Sequence, residues 1–540
     1  MRLPVEIVDQ IMANLLERKD LAAAALVSRA CHRSATPLLY RDIEIEDSLY
    51  HNDTRIMPAR GARKRTSLPQ MASVVSTLHG NPFVCSFVSS IGHQLCIADA
   101  HVDPLQRQLW EMALITMRLQ LQEIIDRNGF SRVTQLRLLN PDVEFAEILL
   151  KGLLPQIEVL HIASSFVRYL PFDGSLPSNI KELQVQFFPE LFRIPGSAPF
   201  GDGWQAARAE YNSADGIMHS HFNSFLSSSS SLQILRISGT KELHAILADV
   251  ALPSLDTLEI GPVFNRVIDL TVAGLSSFID RHPSISRLAL RNLPAETDTV
   301  LSLPPESRSS IRQLISCVDE IPSDYYSFLD QFEGLDTFKL QRDIVVGGIL
   351  QDELLELVKH LQRDGPGIKN LALPMPSHIS GWTLTDGQLG VPGTSLEHFG
   401  RAFREYLPTV EVFGISQIGR YSDIRAEFPF RDADTGLKAD WARSFAGHPH
   451  LKRLAIKTPF LPNFRESHAV RRDAIDDLAK VFSDLPALQK FVFYESFDNQ
   501  AIEVEILRGE TTTGRERAVD SAEVDAEFFD PFFQTGWEKS

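Results

Sequence analysis

Ile157-Glu158-Val159-Leu160-His161-Ile162 is followed, 23 residues on, by Ile180-Lys181-Glu182-Leu183-Gln184-Val185, and both read apolar-x-x-Leu-x-apolar. The same hexad stands at Val133–Leu138, Leu232–Ile237, Leu255–Ile260 and Ile285–Leu290, and in shortened form at Ile311-Arg-Gln-Leu314. It continues through Leu335–Leu340, Ile368–Leu373, Val410–Ile415, Leu451–Ile456 and Leu488–Phe493, with Phe338, Phe413 and Phe491 in the central Leu position. Alternation of this kind predicts short strands that send every second side chain inward. The segments before them have helical spacing and close on Pro or Gly, as in Leu275–Pro283, Leu354–Leu361 and Ile475–Pro486. Helix, turn and strand repeated in this way predict a solenoid whose units bury their apolar faces only against neighbours.

The hexads resemble an irregular leucine-rich repeat, which implies a right-handed α/β solenoid with a parallel sheet on one face and helices on the other. The Asn or Cys that usually follows the strand in that family is absent from most copies, with Asn140 and Asn292 in comparable places. Starts at 133, 157 and 180 lie 24 and 23 residues apart, whereas those at 410, 451 and 488 lie 41 and 37 apart. The wider steps carry insertions such as 374–394 and 414–439, and roles in recognition or as spacers are both open for them.

The first forty residues follow a different pattern. Pro4 suits the first turn of a helix, where its missing N–H has no partner to lose. Two apolar stripes adjoin on that helix: Leu3, Ile7, Ile11 and Leu15, then Val8, Met12 and Leu16. Together they are wider than one neighbouring helix covers, so a face is left for a partner. Asp20 is the expected N-cap of a second helix containing Ala22–Ala25, and Ser28 or Ser34 interrupts or caps a third that ends near Tyr40. Three short helices bury little surface by themselves.

Leu3-Pro4-x-Glu6-Ile7, Ile11, Leu15, Asp20-Leu21 and Val27-Ser28-Arg29 resemble the F-box, and Pro37–Ile43 is similar to the end of fungal F-boxes. Cys31-His32 stands where many members carry Trp. The resemblance implies a three-helix F-box that binds a Skp1-type adaptor and, through it, a cullin. It implies that Leu3, Pro4, Ile7, Ile11, Leu15, Leu26 and Val27 form or support the adaptor surface. The expected organisation is an F-box at 1–45, a basic loop and helical linker at 46–130, the solenoid at 131–505 and an acidic, aromatic tail or cap at 506–540.

Composition narrows the function class. A chain of 540 residues exceeds one compact core. Hydrophobic residues make up 44% and charged residues 23%, with no apolar run long enough to span a membrane and no secretory leader, so a cytoplasmic or nuclear location is expected. A formal charge of −17 opposes nucleic acid. The four cysteines make no Cys-x-x-Cys pair, and His219-x-His221 and His448-x-His450 lack neighbouring ligands of zinc-site spacing, so neither metal nor cofactor is expected.

Smaller features are read individually. Arg55, Arg60, Arg63, Lys64 and Arg65 lie among Pro and Gly in an expected exposed loop, with nuclear import as a second use. Leu105, Leu109, Met112, Ile115, Leu119 and Ile124 give a helix from Pro104 to Arg127 its expected packing face. Ser227–Ser231 is expected to be a polar turn. Phe528, Phe529, Phe532, Phe533 and Trp537, set among acidic residues, are expected to cover the open end of the solenoid. Arg137, Arg236, Lys339 and Lys452 would suit an acidic or phosphorylated motif, or serve only as solvated strand positions.

No Gly-rich phosphate loop, Gly-x-Ser-x-Gly elbow, His-Glu-x-x-His or kinase signature is present, so no enzyme activity is expected. Two functions follow. The first is a non-catalytic substrate receptor of an SCF-type ubiquitin ligase, with the solenoid holding the target protein. The second is a leucine-rich scaffold without ubiquitin transfer.

Overall fold

The structure, a computed structural model, describes residues 4–529 except 16–17, 49–67, 97–103, 140–142, 165–178, 188–224, 240–246, 248–249, 263–271, 292–302, 318–322, 342–350, 363–366, 375–392, 417–444, 446, 459–478, 480–484, 496–499, 509–511 and 520. The chain divides into two units, residues 1–255 and 256–539. N-terminal helices are followed by a mostly parallel sheet in an α/β arrangement.

The first unit opens with α1 (Val5–Ala13), α2 (Arg18–Ala25) and α3 (Arg29–Leu39). The Pro4 carbonyl accepts from the Ile7 and Val8 amides, both at 3.2 Å, which starts α1. Ser28, with extended backbone, caps α3 by accepting from the Cys31 amide at 3.1 Å. Asp20 lies inside α2 rather than before it, because the helix begins at Arg18. Val8, Met12, Leu21, Ala25 and Ala35 form the core of this module.

The sheet begins before the first hexad. β1 (Asp42–Ser48) pairs in parallel with β2 (Ser90–Cys96), which pairs with β3 (Gln135–Leu139). β4 (Val159–Ser164), β5 (Glu182–Phe187) and β6 (Ile234–Gly239) follow in parallel order. The helices α4 (Leu68–Gly80), α5 (Pro82–Cys85), α6 (Pro104–Asp126) and α7 (Val143–Leu153) lie between strands in the chain. Stacking of Phe145 from α7 on His93 from β2, at 4.3 Å between centroids, places the helices on the face shared by Ile45, His93 and Leu138.

α6 spans the expected helix but turns another face inward. Leu114, Met117, Leu121 and Ile124 are buried, whereas Met112, Ile115 and Leu119 are more than half exposed. Of the apolar set expected to pack, only Ile124 is buried among the described side chains, because apolar residues on several sides of this helix offer a second face. Polar contacts with α4 settle the orientation: Ser76 donates to Gln120 at 3.1 Å and His79 lies 2.5 Å from Glu123. The side chains of Leu105 and Leu109 lie outside the described residues.

The second unit carries β7 (Thr257–Pro262), β8 (Arg287–Arg291), β9 (Gln313–Cys317), β10 (Thr337–Gln341), β11 (Asn370–Pro374), β12 (Val412–Ser416), β13 (Arg453–Thr458) and β14 (Lys490–Glu495), each parallel to the next. Helices at Val272–Arg281, Pro305–Ser310, Ser323–Leu329, Gln351–His360 and Gly393–Tyr406 alternate with these strands. Beyond the last hexad, β15 (Gln500–Leu507) pairs antiparallel with β14, and β16 (Thr513–Val519) antiparallel with β15.

Every hexad contains a strand that starts two residues after its leading apolar position. Those leading residues, from Val133 to Leu488, are at most 1% exposed. Each such side chain contributes about 1.5–3 kcal/mol by leaving water. The turn before each strand is tied to its predecessor by a backbone staircase. In the first unit Glu158 N donates to Thr134 O, Lys181 N to Glu158 O and Gln233 N to Lys181 O, all at 2.8 Å. The second unit repeats it at Asp336 to Arg312 (2.9 Å), Lys369 to Asp336 (2.7 Å) and Glu411 to Lys369 (2.8 Å). These bonds satisfy amides that the strands do not use. Among the described residues no helix is long and apolar enough to cross a membrane.

Candidate partner-binding surfaces

The N-terminal module exposes large apolar side chains despite having its own core. Leu26 is 87% exposed, Val27 76%, Ile11 45% and Ile7 41%. Of the two stripes on α1, Val8 and Met12 turn inward, and Ile7 and Ile11 face solvent. Leu26 and Val27 follow α2 in a turn closed by Leu26 N to Ala23 O and Val27 N to Ala24 O. Pro4 is exposed at the start of α1, and Leu15 is half-buried against the module's core, so it supports the surface more than it lines it. Leu3 and Leu16 lie outside the described residues. Val5, 57% exposed, joins the apolar set, although the two-stripe reading does not include it. Five of the expected contact residues, Pro4, Ile7, Ile11, Leu26 and Val27, are therefore accessible on this small module.

On the first unit's helix-free face, register aligns Glu44, Gly92, Arg137, His161, Gln184 and Arg236 across β1–β6. Glu44 reaches across Gly92 to pair with Arg137, and a Cβ at position 92 would meet that carboxylate. Glu182, one register row over, pairs with Arg236 and lies 3.0 Å from His161 Nε2. Burial alone would raise the Glu182 carboxyl, but these two partners outweigh it and hold it at about 2. Arg137 and Arg236, for which an acidic ligand and a merely solvated position were both expected, are engaged by internal carboxylates. Gln184 is buried, and neither of its amide atoms has a partner.

The second unit's opposite sheet face is covered by two short helical turns, Ser521–Val524 and Asp525–Phe529. Helix packing of Phe403 on Phe413, 4.7 Å between centroids, sets the inner face, so Gly414 looks the other way. There the segment Asp525–Phe529 lies over the sheet, with Phe528 and Phe529 almost fully buried against Ala372, Ala455, Val492 and Tyr494. These two rings cover the sheet face opposite Phe403 at β11–β14 rather than the sheet's end, which β15 and β16 extend. The reason is steric, because Ala372, Gly414 and Ala455 leave depth for rings. Phe532, Phe533 and Trp537 lie outside the described residues. Lys339 lies under this segment, while Lys452 precedes β13 and pairs with Glu411 at 2.7 Å.

The remaining candidates have structural partners. His448 is buried, its Nε2 3.0 Å from the Leu407 carbonyl and its Nδ1 accepting from the Leu451 amide at 3.1 Å, which holds a turn and leaves neither nitrogen for a metal. Burial lowers its pKa, so it stays neutral. Residues 225–228 are helical, so Ser227 and Ser228 end a helix rather than lie in the turn, which begins after them; Ser228 and Ser229 donate to the Phe225 carbonyl and Ser231 to the Ile180 carbonyl. His219, His221, the basic cluster at 55–65 and most of both long insertions lie outside the described residues. Among the described residues no three His, Cys, Asp or Glu side chains gather as a metal site.

No curated protein matches the chain. Residues 1–46 match the F-box-like family model, covering the three helices, their exposed apolar face and the start of β1, so the chain carries an F-box-like domain ahead of its α/β sheet.

Proposed function

We propose that this chain is a non-catalytic substrate receptor of an SCF-type E3 ubiquitin ligase. Its F-box binds a Skp1-type adaptor through Ile7, Ile11, Leu26 and Val27, flanked by Leu3 and Pro4 and backed by Leu15. The hexad strands form a right-handed, irregular leucine-rich-repeat-like solenoid that holds the target protein. Cullin recruitment through the adaptor then brings the ubiquitin-loaded enzyme beside that target, a proximity effect. The observation that carries the reading is the exposed apolar surface on a module matching the F-box-like family. Burying such side chains against a partner supplies the hydrophobic gain that three short helices lack alone.

The test is co-purification with Skp1 and cullin. An Ile7→Asp/Val27→Asp chain should fold, because both side chains are solvent-facing, yet lose the adaptor. A folded native chain that fails to bind Skp1 sinks the proposal. Skp1 binding without cullin recruitment would favour a scaffold without ubiquitin transfer.

A further inference from the structure

We propose that the sheet face over β10–β14 opposite Phe403 is a recognition groove for an acidic partner segment carrying two adjacent aromatic residues, and that Glu527–Phe529 of this chain occupies it in cis. Its floor is cut for rings. Along one register row the sheet presents Lys339, Ala372, Gly414, Ala455 and Val492, so three adjacent strands contribute almost no side chain. A Cβ at Gly414 would stand 3.0 Å from Phe529 Cε1 and 3.2 Å from the Phe528 carbonyl oxygen.

Its walls are cationic and read backbone as well as side chains. Lys339 Nζ donates to the Glu527 carbonyl at 2.9 Å and Gln341 Nε2 to the Phe529 carbonyl at 2.6 Å. Arg453 pairs with the Glu527 carboxylate and lies 5.2 Å from the Phe528 centroid. Lys457 Nζ lies 5.5 Å from the Phe529 centroid and 4.7 Å from that of Tyr494. Main-chain hydrogen bonds for affinity, with ring pockets and a carboxylate partner for specificity, are the means by which proteins read short linear segments.

The contact sets an apolar cluster, Val524, Phe528 and Phe529 against Ala372, Ala455, Val492 and Tyr494, beside buried Lys339 and partly buried Arg453 and Glu527, charges that regain hydration when the segment leaves. Burial raises the Glu527 carboxyl, with Arg453 opposing, consistent with a charge drawn out of water. Docking is therefore weaker than its apolar area suggests, which suits exchange with a competing segment. That a ligase target supplies this segment rests on the function proposed above; the groove's ligand chemistry does not.

The experiment uses the full chain and a fluorescently labelled peptide of residues 521–531, read by anisotropy. A tethered segment acts at an effective concentration on the order of millimolar, so the native chain should bind the peptide poorly. A Phe528→Ser/Phe529→Ser chain should keep its circular dichroism and Skp1 binding, yet bind the peptide at least ~10-fold more tightly. Gly414→Val should also free the tail but not bind the peptide, because the groove itself is filled. A folded double-Ser chain that ignores the peptide overturns the groove. So does a double-Ser chain that loses cooperative unfolding, since the segment would then be an integral cap. Loss of Skp1 binding by the native chain would instead strike the ligase reading and leave the groove standing.

Discussion

Replacing Glu182 by Gln should loosen β4–β6 selectively, and the size of the effect follows from its surroundings. The carboxyl is held at about 2 instead of 4.5 by His161 and Arg236, against the opposing effect of burial. A difference of that size between folded and unfolded chain corresponds to roughly 3 kcal/mol of stability at neutral pH. The sign follows from a depressed carboxyl: the contribution is whole above the unfolded pKa and is lost as pH falls through the folded one. By pH ~3.5, roughly 1.4 kcal/mol should have gone. Gln keeps the shape but removes the charge that faces the Arg236 guanidinium, 21% exposed. We expect β4–β6 amides to exchange hydrogen about 30- to 100-fold faster in Glu182→Gln at pH 7, a loss of about 2–3 kcal/mol in local opening. An Arg236→Met background should remove a large part of that loss. A change below about 0.5 kcal/mol, or the same acid sensitivity in variant and native chain, would refute the assignment.

Two further outcomes are expected. Gln184→Leu replaces a buried amide whose atoms have no partner, so it should raise the stability of the first unit by about 1 kcal/mol, measured by the same exchange on β4–β6; a loss of stability would mean that the amide is satisfied in solution. Phe403→Ala opens a hole beside Phe413, Phe445 and His448 and should cost about 3–5 kcal/mol in denaturant unfolding of the second unit, with Skp1 binding intact.

Much of the strand order was legible because the hexad combines two constraints. Its central Leu or Phe and its last apolar residue share one face and must be buried, and a one-residue slip would turn both outward, so the pattern marks register as well as strand. β1 and β2 keep the hexad's spacing but escaped because Ile43 and Ile91 replace its central Leu and Tyr40 and His93 replace aliphatic positions, whereas β16 (Thr513–Val519) lacks the spacing altogether. On α1 the sequence shows two apolar stripes but not which one is the core; α2 and α3 decide that by covering Val8 and Met12.

What the chain alone determines is therefore local and periodic: an F-box-like module, repeated helix and strand, and an acidic composition. The tertiary structure decides what depends on residues distant in sequence. It turns Met112, Ile115 and Leu119 outward and pairs Arg137 with Glu44, 93 positions away. It also lays Glu527–Phe529 across a face built 188 residues earlier at Lys339. Periodicity reports which residues want to leave water, whereas the partner that removes them is chosen by packing geometry, and that geometry exists only once the chain has folded.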